Sequence, residues 1–345
     1  MPLVSFKTEL KLNNKQKTAC AKHAGVARHA YNWGLEICIN ALENKENFPS
    51  AIDLHKQLVA EVKSVNPWYY EVSKCSPQQA LRNLSTAFKR CFQAKIANPS
   101  ATLRARFPKF KKKGKRDSFY LEGSIKISGD KIKLPRIGWI KCHEILPSVT
   151  VKNVTISRHA DRWFISFKYE LDKPNTPKTR DKIGVDVGIN SLATCSDGTV
   201  FENKKAYRKN KRKLAHLQRS VSRKQKSSAN RKKAVIKLAR QHRKVTSIRK
   251  DTLHKLTSWL AKNHSEIVIE DLKVSGMLKN HRLASAIADC GFYEFKRQLE
   301  YKTNWYGSKL IIVDRFYPSS PLDSRSVKDS MKQEVNIEST QLSLF

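Results

Sequence analysis

The chain has 345 residues, room for about two domains, and sets 68 Lys and Arg against 30 Asp and Glu, a formal net charge of +38 with a pI near 10.1. A field of that strength draws a polyanion, nucleic acid first. No run of about 20 apolar residues offers a membrane span, no helix has the large moment that an anionic membrane surface demands, and MPLVSFKTELKL lacks the apolar core of a signal peptide. The seven cysteines are odd in number and scattered without a CxxC pair, which suits buried thiols in a reducing cytoplasm and argues against a zinc ribbon.

Residues 3–12 alternate as a strand, and Asn14 reads as the cap of a helix over 15–44. Helical patterns follow at 51–64 and from Ser76 to about 95, with Pro77 at a helix start where its missing N–H does no harm. From 106 to 123 basic residues interleave with Phe107, Phe110, Phe119 and Tyr120 around Gly114. Stacking aromatics amid phosphate-binding cations suit nucleic acid, with Lys109, Lys111, Lys112, Lys113, Lys115 and Arg116 as the cations. A solvated loop with aromatic core anchors explains the same stretch equally well. Strands are predicted at 124–128, 131–134, 149–157 and 162–171, with turns at Gly129-Asp130 and Asp161-Arg162. Pro174, Asn175 and Pro177 make a linker.

Three strands are then predicted, at 183–187, 191–196 and 199–202, with Asp197-Gly198 as the clearest turn. A long basic helical region runs from 204 to 263 and breaks near Ser227-Ser228, so it reads as two antiparallel helices. One apolar stripe holds Leu214, Leu217 and Val221; the other holds Val235, Leu238 and Val245. Lys211, Arg212, Lys213, Arg219, Arg223, Lys224, Arg231, Lys232 and Lys233 exceed what a solvated face needs and are candidate phosphate contacts. A strand at 266–272, a helix around 290–305 and a strand at 309–316 complete the pattern; the tail from 317 has no apolar periodicity.

Two carboxylates stand out. Asp186 interrupts the alternating run Ile183, Val185, Val187, Ile189, and Glu270 ends the apolar run IVIE. A mid-strand Asp has poor strand propensity and is costly to bury unpaired. In a mixed sheet the two could lie on neighbouring strands, as in RNase H-like nucleases, where close carboxylates hold divalent ions that activate water for phosphodiester cleavage. The alternative is that both are capping or edge residues paired with the surrounding Lys and Arg. No histidine pair has metal spacing, and no phosphate-binding glycine loop or Ser-His-Asp arrangement stands out.

The stretches IGVDVGINSLATCSDG, LQRSVSRKQKSSANRKKAVIKLARQHRKVTSIRKDTLHKLT, IVIEDLKVSGMLKN and FKRQLEYKTNWYGSKLIIVDRFYPSS resemble the TnpB (OrfB) proteins of bacterial insertion sequences, as do YNWGL and PQQALRNLSTAFKRCF nearer the N-terminus. That resemblance covers nearly 320 residues in order. It implies an α+β multi-domain protein: a wedge-like, β-barrel-like domain from residues 1–9 and 104–176, a helical recognition domain inserted at 10–103, and an RNase H-like (RuvC) α/β domain at 181–316 with a long basic helical insertion. It also implies a guide RNA made from the transposon end, a DNA target, Mg²⁺-dependent DNA cleavage, a nucleoid-associated location and kinship with compact type V CRISPR effectors. Asp186 then matches the first RuvC carboxylate and Glu270 the second, both as metal ligands.

The sequence departs from the family after RFYPSS. The family continues into a four-cysteine zinc ribbon and a third catalytic Asp in a D-R-D-x-N-A-A motif; here Ser320 runs into PLDSRSVKDSMKQEVNIESTQLSLF, whose DSMKQEVN resembles family C-termini. An internal deletion and no zinc are therefore expected. Asp323 and Asp329 could stand in for the missing acid, but neither follows a strand–helix signal. The expectation is an RNA-guided DNA binder that cleaves poorly. Its rivals are a nuclease completed by a substitute acid and a decayed transposon copy.

Overall fold

Asn13, not Asn14, starts the first helix. Its side chain accepts from the Gln16 N–H while the Gln16 side chain accepts from the Asn13 N–H, a reciprocal capping box. In the computed structural model of the chain, which describes residues 3–97 and 107–314, two compact units divide at residues 172 and 173, just before the predicted linker. Asp323 and Asp329 lie outside the described residues, as does the tail from 317.

The first unit runs β1 (Leu3–Lys11), α1 (Asn14–Glu43), α2 (Ala51–Gln57), a π-helical stretch (Leu58–Lys63), a 3-10 turn (Pro67–Tyr69) and α3 (Cys75–Ala97). Then come β2 (Ser118–Glu122), β3 (Lys126–Ser128), β4 (Lys131–Leu134), β5 (Gly138–Cys142), β6 (Asn153–His159) and β7 (Arg162–Glu170). The strands form one seven-stranded sheet in the order β2-β6-β7-β1-β5-β4-β3. β1 joins its two halves: residues 3–9 pair with β7, and Leu10 and Lys11 pair with β5. Helices and sheet share one buried cluster, in which Leu35, Leu81 and Leu84 of the helices lie with Leu121, Ile140 and Ile165 of the strands. Gly34 permits the close approach of α1 and α3, because a Cβ there would meet the Leu81 side chain at 2.7 Å.

The second unit runs β8 (Arg180–Asp186), β9 (Ser191–Cys195), β10 (Val200–Glu202), α4 (Ala206–Ser222), α5 (Ala229–Asn263), β11 (His264–Glu270), α6 (Val274–Met277), α7 (Ala284–Cys290), α8 (Phe292–Tyr306) and β12 (Lys309–Val313). Its five-stranded sheet has the order β10-β9-β8-β11-β12. β8 runs antiparallel to β9 and parallel to β11, and β12 runs parallel to β11. One sheet face buries Ile183, Val185, Ile267 and Ile269 in a cluster with Leu253, Leu256 and Leu260 of α5 and Phe295 and Leu299 of α8. Lys302 ties α8 to α5: its buried ammonium donates to the His254 carbonyl and the Thr257 and Ser258 hydroxyls, at 2.7–2.9 Å, and burial pushes its pKa down to about 8.

All seven cysteines are buried free thiols, and burial raises Cys20 and Cys195 to about 12. Among the described residues no helix is long and apolar enough to cross a membrane.

Candidate metal centre and nucleic-acid interface

Asp186 is not in mid-strand: it is the last residue of β8, as Glu270 is of β11. These two strands are parallel neighbours in register, with Glu266 opposite Lys182, Val268 opposite Gly184 and Ile269 opposite Val185. Glu270 and Asp186 are the residues that follow this last pair, each closing its strand. Parallel neighbours lie about 4.8 Å apart, and residues in step project from the same face. Since Ile183, Val185, Ile267 and Ile269 take the buried face, Asp186 and Glu270 take the opposite one. They sit at the carboxyl ends of adjacent parallel strands, where open α/β sheets bind ligands.

The electrostatics at this edge differ from those two rows back. Glu266 on the same face is flanked by Lys182 at 3.4 Å and Lys309 at 3.6 Å. Asp186 and Glu270 receive no side-chain hydrogen bond or ion pair from any described residue. The pairing with Lys and Arg that the alternative reading requires is therefore missing among the described residues. Two adjacent carboxylates without a cation repel, and a hard divalent ion satisfies both with oxygen ligands. The donor set fits one such ion; no cluster of three or more His, Cys, Asp or Glu able to hold a metal occurs among the described residues.

A cleft of about 470 Å³ opens beside Glu270, lined among others by Lys273, Tyr293, Lys296 and Arg297. Lys296 pairs with Asp271 at 2.7 Å, and Arg297 grips Glu294 through two hydrogen bonds. The guanidinium holds the Glu294 carboxyl down at about 2. Lys273 has no ion-pair partner among the described residues and faces the cleft as an available cation. The sequence reading missed Lys273 and Arg297, since each is one basic residue among many.

The two basic helices are α4 and α5, joined by a turn in which Ser228 caps α5 through the Arg231 N–H. Lys211, Arg212, Lys213, Arg219, Arg223, Lys232 and Lys233 are exposed; Lys224 and Arg231 are half-buried. Arg231 has a structural task, donating to the Val221 and Lys224 carbonyls at 2.7 and 3.2 Å and closing the end of α4. The inner stripe is Leu214, Val221, Ala234 and Val245; Val235, predicted to join it, points outward and is 45% exposed. Asp289, also unforeseen, anchors this pair of helices. Buried on α7, its carboxylate accepts from the Tyr207 and Arg208 N–H groups, and the Arg249 guanidinium lies 3.7 Å away. A carboxylate at a helix N-terminus satisfies orphan donors and the helix dipole together.

In the first unit, Phe107 and Phe119 are core anchors while Phe110 is 52% exposed. The exposed cations Lys109, Lys112, Lys113, Lys115 and Arg116 occupy a loop pinned by Asp117, which lies 3.5 Å from both Arg28 and Arg158. Lys111 is held more firmly: its backbone exchanges hydrogen bonds with the Asn32 side chain, and its ammonium sits 3.7 Å from the centre of the Tyr31 ring.

The chain is similar to known proteins. A family model described as "Probable transposase", OrfB of the IS605 type, matches residues 166–281. A "Cas12f1-like, TNB domain" model matches residues 292–332 and a "Helix-turn-helix domain" model residues 1–47, which here hold β1 and one uninterrupted helix among the described residues. The "Putative RNA-guided DNA endonuclease InsQ" of Escherichia coli (strain K12) is 37% identical over 342 aligned residues, covering 92% of this chain and 82% of that protein. A "Putative RNA-guided DNA endonuclease" of Streptomyces pristinaespiralis is 36% identical, covering 92% and 79%. In the solved structures, a chain of the "Cas12f1-sgRNA-target DNA complex" shares the fold with a TM-score of 0.51 at 12% identity, over 88% of this chain and 75% of that one. By its sequence similarity along most of the relatives' length, this mixed α/β protein with two sheets belongs to the TnpB (OrfB) family of insertion-sequence proteins.

Proposed function

We propose that the chain is an RNA-guided DNA-binding protein whose second unit is a RuvC-like nuclease fold with an incomplete metal centre. The observation that supports this reading is that Asp186 and Glu270 are the last residues of the adjacent parallel strands β8 and β11 and have no cation partner among the described residues. In this reading residues 1–9 and 104–176 form the wedge-like domain, 10–103 the recognition domain and 181–316 the nuclease domain. The exposed cations of the 109–116 loop and the α4–α5 pair contact the phosphates of guide RNA and target DNA.

Asp186 and Glu270 would hold Mg²⁺, which when bound supplies water activation and leaving-oxygen stabilisation for phosphodiester cleavage. Lys273 and Arg297 border the cleft beside Glu270 and would orient the strand through its phosphates. Two carboxylates suffice for one ion; a two-ion site needs more ligands. The described residues offer no third, and the 345-residue sequence has neither a CxxC pair nor the D-R-D-x-N-A-A motif. In this reading the chain gives guided binding with poor cleavage, in the cytoplasm.

The test expresses the chain with the DNA that flanks its gene and sequences the RNA that co-purifies. Binding and cutting of complementary DNA are then measured with Mg²⁺. Binding should require the RNA, and cutting should barely exceed that of Asp186→Ala. Replacing Lys211, Arg212, Lys213, Lys232 and Lys233 with Ala should flatten the salt dependence of duplex affinity by about 0.9 in log–log slope per lost phosphate contact. RNA-independent binding would remove the guide from the account. Robust cutting that disappears in Asp323→Ala or Asp329→Ala would show that a substitute acid completes the site.

A further inference from the structure

The first unit contains a second cavity, of about 500 Å³, that the catalytic reading does not use. His55, Lys63, Tyr70, Lys74, Pro135 and Arg136 line it among others, and its lining includes no Asp or Glu. Lys63, Lys74 and Arg136 form no ion pair with any described residue. The imidazole of His55, among these groups, is held below its ordinary pKa by burial and then by the charges of Lys63 and Arg82.

The aromatic element is Tyr70. Its ring is 57% exposed, with the Lys63 ammonium 4.4 Å from its centre. The segment that carries it is held from several sides. Pro67 opens the 3-10 turn, the Asn66 side chain donates to the Val62 carbonyl at 2.8 Å, and the Trp68 indole donates to Asn66 at 3.0 Å. The neighbouring Tyr69 is buried and its hydroxyl meets His29 Nδ1 at 2.8 Å. Tyr70 is therefore an exposed ring on a fixed base. Arg136, also in the lining, is presented from the β4–β5 turn in a left-handed conformation, φ 63°.

A fixed ring beside several uncompensated cations has the two elements that recognise a nucleotide: a stacking surface for the base and donors for its phosphates. A paired base hides its faces inside the stack, so the ring selects for an unpaired one. We infer that this cavity binds one unpaired nucleotide of a nucleic-acid strand, its base against Tyr70 and its flanking phosphates on Lys63, Lys74 and Arg136. The inference rests on the reading of the chain as a nucleic-acid binder and names a contact in the first unit, far in sequence from Asp186 and Glu270. The chemistry is shared by an RNA strand and by a displaced DNA strand.

The experiment uses the full chain and oligonucleotides of the same sequence, as RNA and as DNA, each with one 5-iodouracil either unpaired or within a hairpin duplex. After irradiation and trypsin digestion, cross-links are mapped. The unpaired base should cross-link to the peptide of residues 64–74, SVNPWYYEVSK, and the duplexed base should not. Tyr70→Ala should lose the cross-link and weaken single-strand affinity by roughly 5- to 150-fold, while Tyr70→Phe keeps both. Replacing Lys74 and Arg136 with Ala should lower the single-strand salt slope by about 1.4, two contacts at about 0.7 each. A stronger signal from RNA, or from DNA, supports the site and names its source. Cross-links confined to α4, α5 or the 109–116 loop would overturn this site while leaving the protein a nucleic-acid binder. Equal cross-linking of paired and unpaired bases would overturn it too, and no binding of any oligonucleotide would overturn the broader reading.

Discussion

Glu266 and Glu270 lie on the same strand and the same face of the second sheet, yet they meet different company. Glu266 sits between Lys182 of β8 and Lys309 of β12, a cross-strand row with alternating charge. Nearby, Arg180 holds Asp197 at 2.6 Å. At the other end Glu270 and Asp186 close adjacent strands, and neither has a cation from the described residues. In a chain of net charge +38, a pairing cation is easy to supply by a single change on a neighbouring strand. Under the proposed function the neutralised end is structural and the other is kept free for a ligand. Free charge of this kind is a cost in the unbound protein, as functional sites commonly are.

Both ends rest on one core, so the largest effect should strike them together. Leu256 is fully buried beneath the sheet. Leu256→Ala should cost about 2–5 kcal/mol in chemical denaturation of the second unit, and loss of metal affinity should accompany it. The substitution Val235→Ala, on the exposed side of α5, should change stability by about 0.5 kcal/mol or less. Next comes the anchor of the α4–α5 pair. Asp289→Ala leaves the Tyr207 and Arg208 N–H groups without their acceptor and should cost about 0.5–2 kcal/mol, with faster amide exchange at the start of α4.

The comparison itself predicts opposite signs. Glu266→Gln removes the attraction to two lysines and should destabilise, by about 1 kcal/mol or less for this partly exposed group. Asp186→Asn removes a repulsion and should stabilise the metal-free protein by a similar amount. Melting both variants in EDTA reads the signs; the same sign for both would dissolve the distinction between the two ends.

The smallest effect concerns Glu294, a paired carboxylate at the site end and a control for the unpaired ones. Its pKa is lowered from 4.5 to about 2 by the hydrogen bonds from Arg297. A depressed carboxylate stabilises the fold fully above its unfolded pKa, and that stabilisation is lost as pH falls through the folded value. The stability gap between wild type and Glu294→Gln should be constant above about pH 5 and should close between 4.5 and 2. A gap that widens on acidification would reverse the assigned sign.

Much of this was legible because its signals are local. The alternation around Ile183 and Val185 located β8, Asp197-Gly198 located the β9–β10 turn, and Ser227-Ser228 located the break between α4 and α5. The strand β5 was missed: GWIKC opens on Gly138, at φ 85°, and its short run gives almost no period to detect. The outward turn of Val235 was missed because Ala234, one position away, fills the inner stripe with less hydrophobicity. Asp289 and the Tyr70 cavity depend on contacts between residues distant in sequence, which no periodicity encodes. Asp186 is conspicuous as an acid in an apolar run, but that it has no cation partner among the described residues depends on what the neighbouring strands β9 and β11 carry.

The most direct test of the central claim, that Asp186 and Glu270 share one divalent cation, is iron-directed backbone cleavage. Fe²⁺ substitutes for Mg²⁺ at oxygen sites, and with ascorbate and peroxide it cuts the polypeptide next to wherever it is bound. The account predicts scission close to both Asp186 and Glu270, suppressed by excess Mg²⁺ and lost in Asp186→Ala and in Glu270→Ala. Scission at neither position, or an unchanged pattern in both variants, would contradict it.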